Sequence, residues 1–482
     1  MDTRPDEILP LRVGSTAGVL GLGVAGRATV RFLLQHGLRL KVSDLRSQQQ
    51  VEEEEPGFLS FLAAHGVSTE FTGHSATFLN GLDLLVPGPG VPLHSPLLVA
   101  ARQRHIPLAG ELALAAGRLP APVIAVTGAN GKTTVTSLIG HLLGIAGKKT
   151  FVGGNIGTPL LEYCLNPAGY DSLVLELSSF QLDLAGAFRP DVGLLLNITP
   201  DHLDRHGSLA AYAAAKKRLF AAQQTGDVAI LGCDDPLVAA TMLNTGVKRF
   251  CFGQDKDCAC RVEKQGVRLL LPNQEVYFSL VQTRLASTVN RLNAAAAILA
   301  ARLVGCSSEA IQEGLTSFQP PAHRMAEVAV LNGVSYIDDS KATNIGALAA
   351  ALASCRGSVL LIAGGRDKGG DYRLLRDIVS RKVRRLLLLG EAAPLMQEAL
   401  GDLVATQRVS DMQEAVQCAS KVARSGEVVL LAPGCSSFDM FSGYEERGRV
   451  FSQAVLALAA ADAKATVQTQ VASAGEGQAC VR

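Results

Sequence analysis

The sequence predicts an α/β protein of three domains built on mostly parallel, doubly wound sheets. Two patterns and one number carry this reading. Strand-length apolar runs alternate with helical segments from residue 18 to about 455, and glycine-rich turns fall where strands hand over to helices. At 482 residues the chain is too long for one ordinary core. A hydrophobic content of 48% and a formal net charge of +1 describe a soluble globular protein without the basic footprint of a nucleic-acid or anionic-membrane binder. Apolar runs such as Val359–Ala363 and Leu386–Leu389 are strand-length, and none approaches a bilayer span. The amino terminus, with Asp2, Asp6 and Glu7, lacks the basic start and apolar stretch of a signal peptide. Ten cysteines form neither a disulfide nor a metal framework; Cys258 and Cys260, with Cys251 upstream, have no histidine nearby. A reducing cytoplasm is expected.

The first domain, 1–116, opens with a strand and the turn Gly21–Leu22–Gly23–Val24–Ala25–Gly26, followed by a helix to about Gln35. Strand Leu38–Ser43 ends at Asp44, 18 positions after Gly26, which is the Rossmann arrangement of a βαβ unit. Glu52–Glu55 reads as a solvated helix face, and Leu82–Val86 as a further strand before the turn-rich Pro87–Pro92. The second domain, 117–318, alternates strand Val123–Val126, helix 134–146, strands Ser172–Leu177 and Val192–Ile198, helix 208–223 and strand Val228–Leu231. Short alternating pieces across 247–285 predict a small β insertion, followed by helix Asn290–Val304. The third domain, 319–461, follows the linker Gln319–Pro321 with strand 334–338, helix 345–354, strands 358–363 and 384–389, helix 411–423 and strand 427–432. Residues 462–482 are expected to be a disordered tail.

The most informative chemistry lies in Thr127–Gly128–Ala129–Asn130–Gly131–Lys132–Thr133–Thr134. A loop between a buried strand and a helix N-terminus offers backbone N–H groups to anions. Lys132 adds a point charge for outer phosphates, and the Thr133 hydroxyl suits a nucleotide-bound Mg²⁺. The strict P-loop spacing would put glycine at 126, where Val126 stands, so the loop is a short-spaced form. Strand 172–177 delivers Glu176 at its carboxyl end, where a carboxylate can share Mg²⁺ with phosphates. His202, in the loop after strand 192–198, can ligate a second metal or orient a carboxylate. Lys216 follows three alanines and is either an exposed helix lysine or an inward one; Lys217 reads as exposed. In the third domain, loops 338–344, 364–371 and 433–439 each follow a strand. Any one is compatible with ordinary turn chemistry. Together they predict a second binding face whose lysines and hydroxyls favour a carboxylate-bearing ligand.

Over residues 15–455 these groups resemble the Mur ligase family, and within it the D-glutamate-adding branch. The marks of that branch are the first glycine-rich turn, Asp339–Ser340–Lys341–Ala342–Thr343–Asn344 and Ser437–Phe438–Asp439–Met440–Phe441. The resemblance implies a Rossmann-like first domain, a central P-loop-type ATPase domain and a Rossmann-like third domain. It implies ATP-dependent amide-bond formation through an acyl phosphate, with UDP-N-acetylmuramoyl-L-alanine and D-glutamate as substrates. Gly128, Asn130, Gly131, Lys132, Thr133, Thr134, Asn290, Asn293, Arg324 and Asp339 then meet ATP. Thr133, Glu176 and His202 hold Mg²⁺, of which two ions are expected, and Lys216 is the lysine this family carbamylates. His323 and Arg324 match the pair that opens the family's third domain, and His323 and Lys341 join Lys132, Glu176, His202 and Lys216 in the catalytic set. Gly21, Gly23, Val24, Ala25, Asp44, Arg46 and Asn155 are assigned to the UDP substrate. Lys341, Thr343, Lys368, Ser437, Phe438 and Tyr444 are assigned to D-glutamate.

One departure stands out: Val289 occupies the histidine position of the family's Gly-x-His-Asn-x-x-Asn pattern, while Asn290 and Asn293 remain. Altered packing or nucleotide affinity is expected there, with the chemistry intact. Rival readings are a sister ligase or folylpolyglutamate-type synthetase, an NAD-dependent oxidoreductase fused to an ATPase, and a non-catalytic nucleotide-regulated binding protein. A monomer acting on small molecules, without nucleic acid or membrane insertion, is expected.

Overall fold

The computed structural model describes residues 7–476 apart from 168 and 273. Residues 1–6 of the expected first domain and 477–482 of the expected tail lie outside the described residues. By contact density the chain divides into two compact units. One comprises residues up to Ile198 together with Ala210–Gln319; the other comprises Thr199–Leu209 and the chain from Pro320.

The first unit carries two sheets. A four-stranded parallel sheet runs in the order Ser68–Phe71, Arg39–Asp44, Thr16–Leu20, Leu84–Pro87. Helix Val24–Gln35 follows the glycine-rich turn directly. A Cβ on Gly26 would drive into the Gly21 carbonyl, so only glycine lets the helix begin that close to the strand. The Glu52–Glu55 run is exposed or half-exposed, as a solvated face should be, and two of its carboxylates also serve a buried cation. Glu54 and Glu55 each sit 2.9 Å from the buried guanidinium of Arg27, because a cation inside this domain needs carboxylate partners.

The second sheet has nine strands. Val228–Gly232, Val192–Leu195, Val123–Thr127, Ser172–Glu176 and Thr150–Gly154 lie side by side and parallel, with Lys248–Gly253 parallel to Val228–Gly232. Cys260–Val262, Gly266–Leu271 and Gln274–Ser279 continue the same sheet, the last two added antiparallel. The expected β insertion is therefore an extension of the main sheet. Helix Lys132–Ile145 buries Val135, Leu138, Ile139, Leu142 and Leu143, the helical i, i+3, i+4, i+7, i+8 stripe, against it. The alanine-rich helix Thr288–Leu303 joins that core; its small side chains permit close packing.

The second unit has six strands in the order Ala326–Leu331, Val334–Asp338, Val428–Gly434, Val359–Gly364, Val383–Leu389, Ala405–Arg408, antiparallel only at the first pair. Alternate residues serve opposite cores. Leu361, Leu386 and Leu430 face one cluster, and Leu360, Leu387 and Leu431 the other. Burial on both faces is what a parallel sheet covered by helices requires. Helix Tyr444–Glu476 continues through much of the stretch expected to be disordered. Alanine recurs there and the first glycine is Gly475, so helix propensity prevails over low hydrophobicity.

The Gly26 packing has a measurable consequence. Gly26→Ala is expected to cost about 1–3 kcal/mol as overpacking, seen as a Tm lowered by several degrees. Gly23→Ala, whose Cβ would meet nothing within 4 Å, should leave Tm nearly unchanged. Equal Tm values for the two variants would contradict the packing argument.

Candidate active site

At the carboxyl end of the first sheet, a cleft of about 690 Å³ is lined by Gly21, Gly23, Val24, Ala25, Asp44 and Arg46, all expected there. Leu45, His74 and the Gly88–Pro92 turn also line it and were not expected, and Leu20, Gly26 and residues 95–97 complete the lining. His74 is reachable from the sequence only through the fold, which brings its Nδ1 within 2.6 Å of the buried Ser43 Oγ. Asp44 accepts from Leu22 N (2.5 Å) and from Arg46 N, Nε and Nη2 (2.8–2.9 Å). Burial pushes its carboxyl up, but the hydrogen bonds from Arg46 and from the Leu22 and Arg46 N–H groups outweigh it and bring the pKa down to about 2. With four hydrogen bonds a carboxylate has spent its lone-pair sites. Asp44 therefore fixes the glycine turn and aims Arg46.

The phosphate loop leaves strand Val123–Thr127 and enters helix Lys132–Ile145 through Gly131, whose φ of 85° is left-handed. A Cβ on Gly131 would also collide with Asn293 Oδ1, so the loop and the Asn290–Asn293 helix start fit only around a glycine. Asn293 Nδ2 in turn donates to Asn290 Oδ1 at 3.2 Å. Asn197 pins the loop from the neighbouring strand end. Its Oδ1 accepts from Asn130 N (2.8 Å), its Nδ2 donates to Asn130 O (3.0 Å), and its carbonyl accepts from Ala129 N (2.9 Å). That duty ends the strand at Leu195, short of the expected Ile198. Asn197 was missed because a lone asparagine after an apolar run carries no signal of its own.

Three expected side chains meet beside this loop. Lys132 Nζ donates to the carbonyls of Gly128 and Ala129, both at 2.9 Å. Lys216 is buried and faces inward; its Nζ donates to Gly128 O at 2.8 Å and lies 4.5 Å from the Tyr212 ring centre. Glu176 is buried at the end of the adjacent strand. Its Oε1 accepts from Asn155 Nδ2 at 2.9 Å, and Asn155 N donates to the Glu176 carbonyl at 2.8 Å. Glu176 Oε2 is buried without a hydrogen-bond partner among the described residues. A buried, half-satisfied carboxylate beside a phosphate loop is the donor set Mg²⁺ takes, with phosphate oxygens and water completing its shell. Among the described residues no group of three or more His, Cys, Asp or Glu side chains is arranged to hold a metal.

In the second unit the three expected loops follow strands Val334–Asp338, Val428–Gly434 and Val359–Gly364, which are immediate neighbours. Their convergence is thus a property of strand order. His323, at a left-handed φ of 61°, places Nδ1 2.6 Å from Asp338 Oδ2, and Lys341 Nζ lies 3.6 Å from the Tyr444 ring centre. Ser437 is buried and Phe438 exposed. His202 also belongs to this unit, on the Thr199–Leu209 segment, with Asp201 beside it. The buried Asp201 accepts from Lys368 Nζ (3.2 Å) and Asn344 Nδ2 (3.0 Å). Burial raises its pKa, but Lys368, His202 and Asn344 prevail and the net shift is downward. Neither Asp201 nor Asp338 was expected, since each adjoins a more conspicuous histidine or aspartate.

Asp339 keeps part of its residue surface, yet its carboxyl is enclosed, and desolvation pushes its pKa up to about 7 against the pull of Arg324 and the Met325 N–H. An acid whose folded pKa exceeds its unfolded value of 3.8 stabilises the fold below that value, and loses that contribution as pH rises through about 7. Asp339→Asn should therefore gain Tm relative to wild type between pH 5 and pH 7.5. A constant Tm difference over that range would contradict a displaced titration.

Family models described as Mur ligase MurD-like N-terminal domain, Mur ligase middle domain and Mur ligase glutamate ligase domain match residues 15–110, 126–301 and 323–435. A UDP-N-acetylmuramoylalanine–D-glutamate ligase from Desulfotalea psychrophila is 45% identical over 92% of this chain and 96% of its own. One of the same description from Syntrophotalea carbinolica is 39% identical over 92% and 98%. Among solved structures, MurF ligase from Thermotoga maritima in complex with ADP aligns at a TM-score of 0.57 and 17% identity, covering 94% of this chain and 98% of that one. UDP-N-acetylmuramate–alanine ligase from the same organism aligns at 0.54 and 19%, covering 92% and 99%, so both share the fold.

Proposed function

The chain belongs to the Mur ligase family, and on that premise we propose that it joins D-glutamate to UDP-N-acetylmuramoyl-L-alanine at the expense of ATP. It does so in peptidoglycan precursor synthesis, as a monomer in the bacterial cytoplasm. No helix among the described residues is long and apolar enough to cross a membrane.

The observation that carries the reading is the cluster at the phosphate loop: two lysine ammonium groups on the Gly128 carbonyl, beside a buried carboxylate with one bare oxygen. An oxygen of the alanyl carboxylate attacks the γ-phosphorus of ATP, the bond to the β,γ-bridging oxygen breaks, and ADP leaves with that electron pair. The neutral amine of D-glutamate then adds to the acyl carbon. Collapse of the tetrahedral adduct expels phosphate, and the amine loses its proton to solvent. Lys132 and the loop N–H groups neutralise charge that builds on the transferring phosphoryl oxygens. Positioning supplies much of the rest, since effective molarities reach roughly 10⁵–10⁸ M.

Glu176, Thr133 and His202 are the proposed Mg²⁺ ligands, joined by Lys216 when carbamylated; bound Mg²⁺ supplies further neutralisation of phosphate charge. Carbamylation turns the Lys216 amine into an anionic ligand, and Lys216 is buried with its Nζ at the phosphate loop. Asn155 acts first by orienting Glu176. Asn290, Asn293, Arg324 and Asp339 are assigned to the nucleotide, and His323 is oriented by Asp338. Lys341, Thr343, Lys368, Ser437, Phe438 and Tyr444 hold the amino acid. The first cleft takes UDP. A nicotinamide dinucleotide needs the acid after the second strand for its ribose, and Asp44 has already spent its lone pairs on Leu22 and Arg46.

Purified protein with ATP, Mg²⁺ and UDP-N-acetylmuramoyl-L-alanine should release ADP when D-glutamate is added, and not with L-alanine or diaminopimelate. Release with another amino acid instead would reassign the last domain. Lys132→Ala should abolish turnover; activity within about tenfold of wild type would misplace the phosphate site. Lys216→Ala should regain activity with short carboxylic acids, and no gain at any concentration would count against carbamylation.

A further inference from the structure

Helix Tyr444–Glu476 opens with Tyr444, Arg447, Gly448, Phe451, Ser452 and Val455 along one face, the spacing of a buried stripe. Phe451 and Val455 enter the sheet core. Gly448 passes so close to His323 and Asp338 that a Cβ would collide with both side chains. Arg447, the largest fully buried side chain described, is 1% exposed.

Every hydrogen bond of its guanidinium goes to a loop assigned above to the amino acid. Nε donates to Ser340 Oγ (3.0 Å) and Nη2 to Ser340 O (2.8 Å), in the loop that carries Lys341 and Thr343. Nη2 also donates to Cys435 O (3.2 Å) and Nη1 to Ser436 O (3.2 Å), in the loop that carries Ser437 and Phe438. Ser436 exchanges backbone hydrogen bonds with Arg366 (2.9 and 3.2 Å), and a Cβ on Gly365 would lie 3.0 Å from Arg447 Nη1. The loop that carries Lys368 is thereby tied in. Ser340 Oγ, while accepting from Arg447, donates to the Tyr444 carbonyl at 2.9 Å.

No carboxylate forms an ion pair with Arg447 among the described residues. Desolvation lowers its pKa to about 10, which still leaves it charged at neutral pH. All its hydrogen bonds go to carbonyl and hydroxyl groups, while Asp439 and Asp338 act on it only through space; a buried cation held this way is costly and leaves part of its positive field behind the loops. That field suits a ligand with two carboxylates.

We propose that Arg447 is a positioning residue for the amino-acid substrate: its buried fork sets the spacing of the three loops, and its charge, hydrogen-bonded to no carboxylate, favours a dicarboxylic amino acid. The proposal rests on the ligase reading and adds a specificity determinant to it. Geometry and charge separate in two variants, because Lys keeps the charge and loses the fork, whereas Gln loses both.

Steady-state kinetics on the full chain test it. Arg447→Lys and Arg447→Gln should raise the D-glutamate KM by about tenfold or more, with Gln the worse, while the ATP KM stays within about twofold. Ser340→Ala, which removes one acceptor of Arg447 together with the hydroxyl's bond to the Tyr444 carbonyl, should raise the D-glutamate KM about threefold; if the Arg447 variants do not fold, this variant decides alone. A D-glutamate KM equal to wild type in the folded variants, or KM values for all three substrates rising together, overturns the proposal. Wild-type turnover measured alongside separates the two claims. Normal D-glutamate KM in the variants removes the clamp alone, whereas a wild type without D-glutamate-dependent ADP release removes both.

Discussion

Two lysine ammonium groups converge on one backbone carbonyl, that of Gly128, and much of the nine-stranded sheet of the first unit is arranged to make this possible. Cations repel, so holding two of them beside each other requires an acceptor that cannot move away. Gly128 cannot, because the preceding strand is buried in the middle of the sheet and Asn197 grips the following residues with three hydrogen bonds. The sheet order then puts Glu176 on the adjacent strand, with Asn155 turning one of its oxygens aside and leaving the other bare. Fixed charges and dipoles that need no reorganisation during reaction are the largest contribution a protein makes to acyl and phosphoryl transfer.

The second unit solves a related problem with different parts. The loops proposed to hold the amino acid come from three neighbouring parallel strands, so their carboxyl ends are adjacent by topology. Adjacent loops still need a fixed separation, and backbone carbonyls turned inward need donors. Arg447 meets both needs from a helix start, as Asn197 does from a strand end in the first unit. In each case the side chain that touches no proposed substrate sets the geometry of those that do.

Much of this architecture is legible in the residues. The alternation of apolar strands and helices placed the central elements of all three sheets, because buried parallel strands are continuous apolar runs. Edge strands escaped: Ala326–Leu331 and Ala405–Arg408 are half-exposed and mix polar with apolar residues. The antiparallel pieces at 260–279 were recognisable as strands, but their joining of the main sheet depends on long-range pairing that local pattern does not encode. Of the site, glycine-rich turns and strand-end lysines, carboxylates and histidines were visible because their chemistry is conspicuous. Asn197, Asp201, Asp338 and Arg447 were not, since each acts by gripping backbone or a neighbour, and nothing in one dimension separates such a residue from an ordinary loop or helix polar group. The tail up to Glu476 was expected to be disordered and is helical; alanine lowers hydrophobicity while raising helix propensity.

The central claim is that the substrate carboxylate is activated by phosphoryl transfer at the Gly128 loop. Isotope transfer tests it most directly. With both oxygens of the alanyl carboxylate labelled as ¹⁸O, the attacking oxygen stays on phosphorus when the amine displaces it. Mass analysis should find one ¹⁸O in each phosphate released and the other in the new amide. Unlabelled phosphate released in step with amide formation would contradict the account.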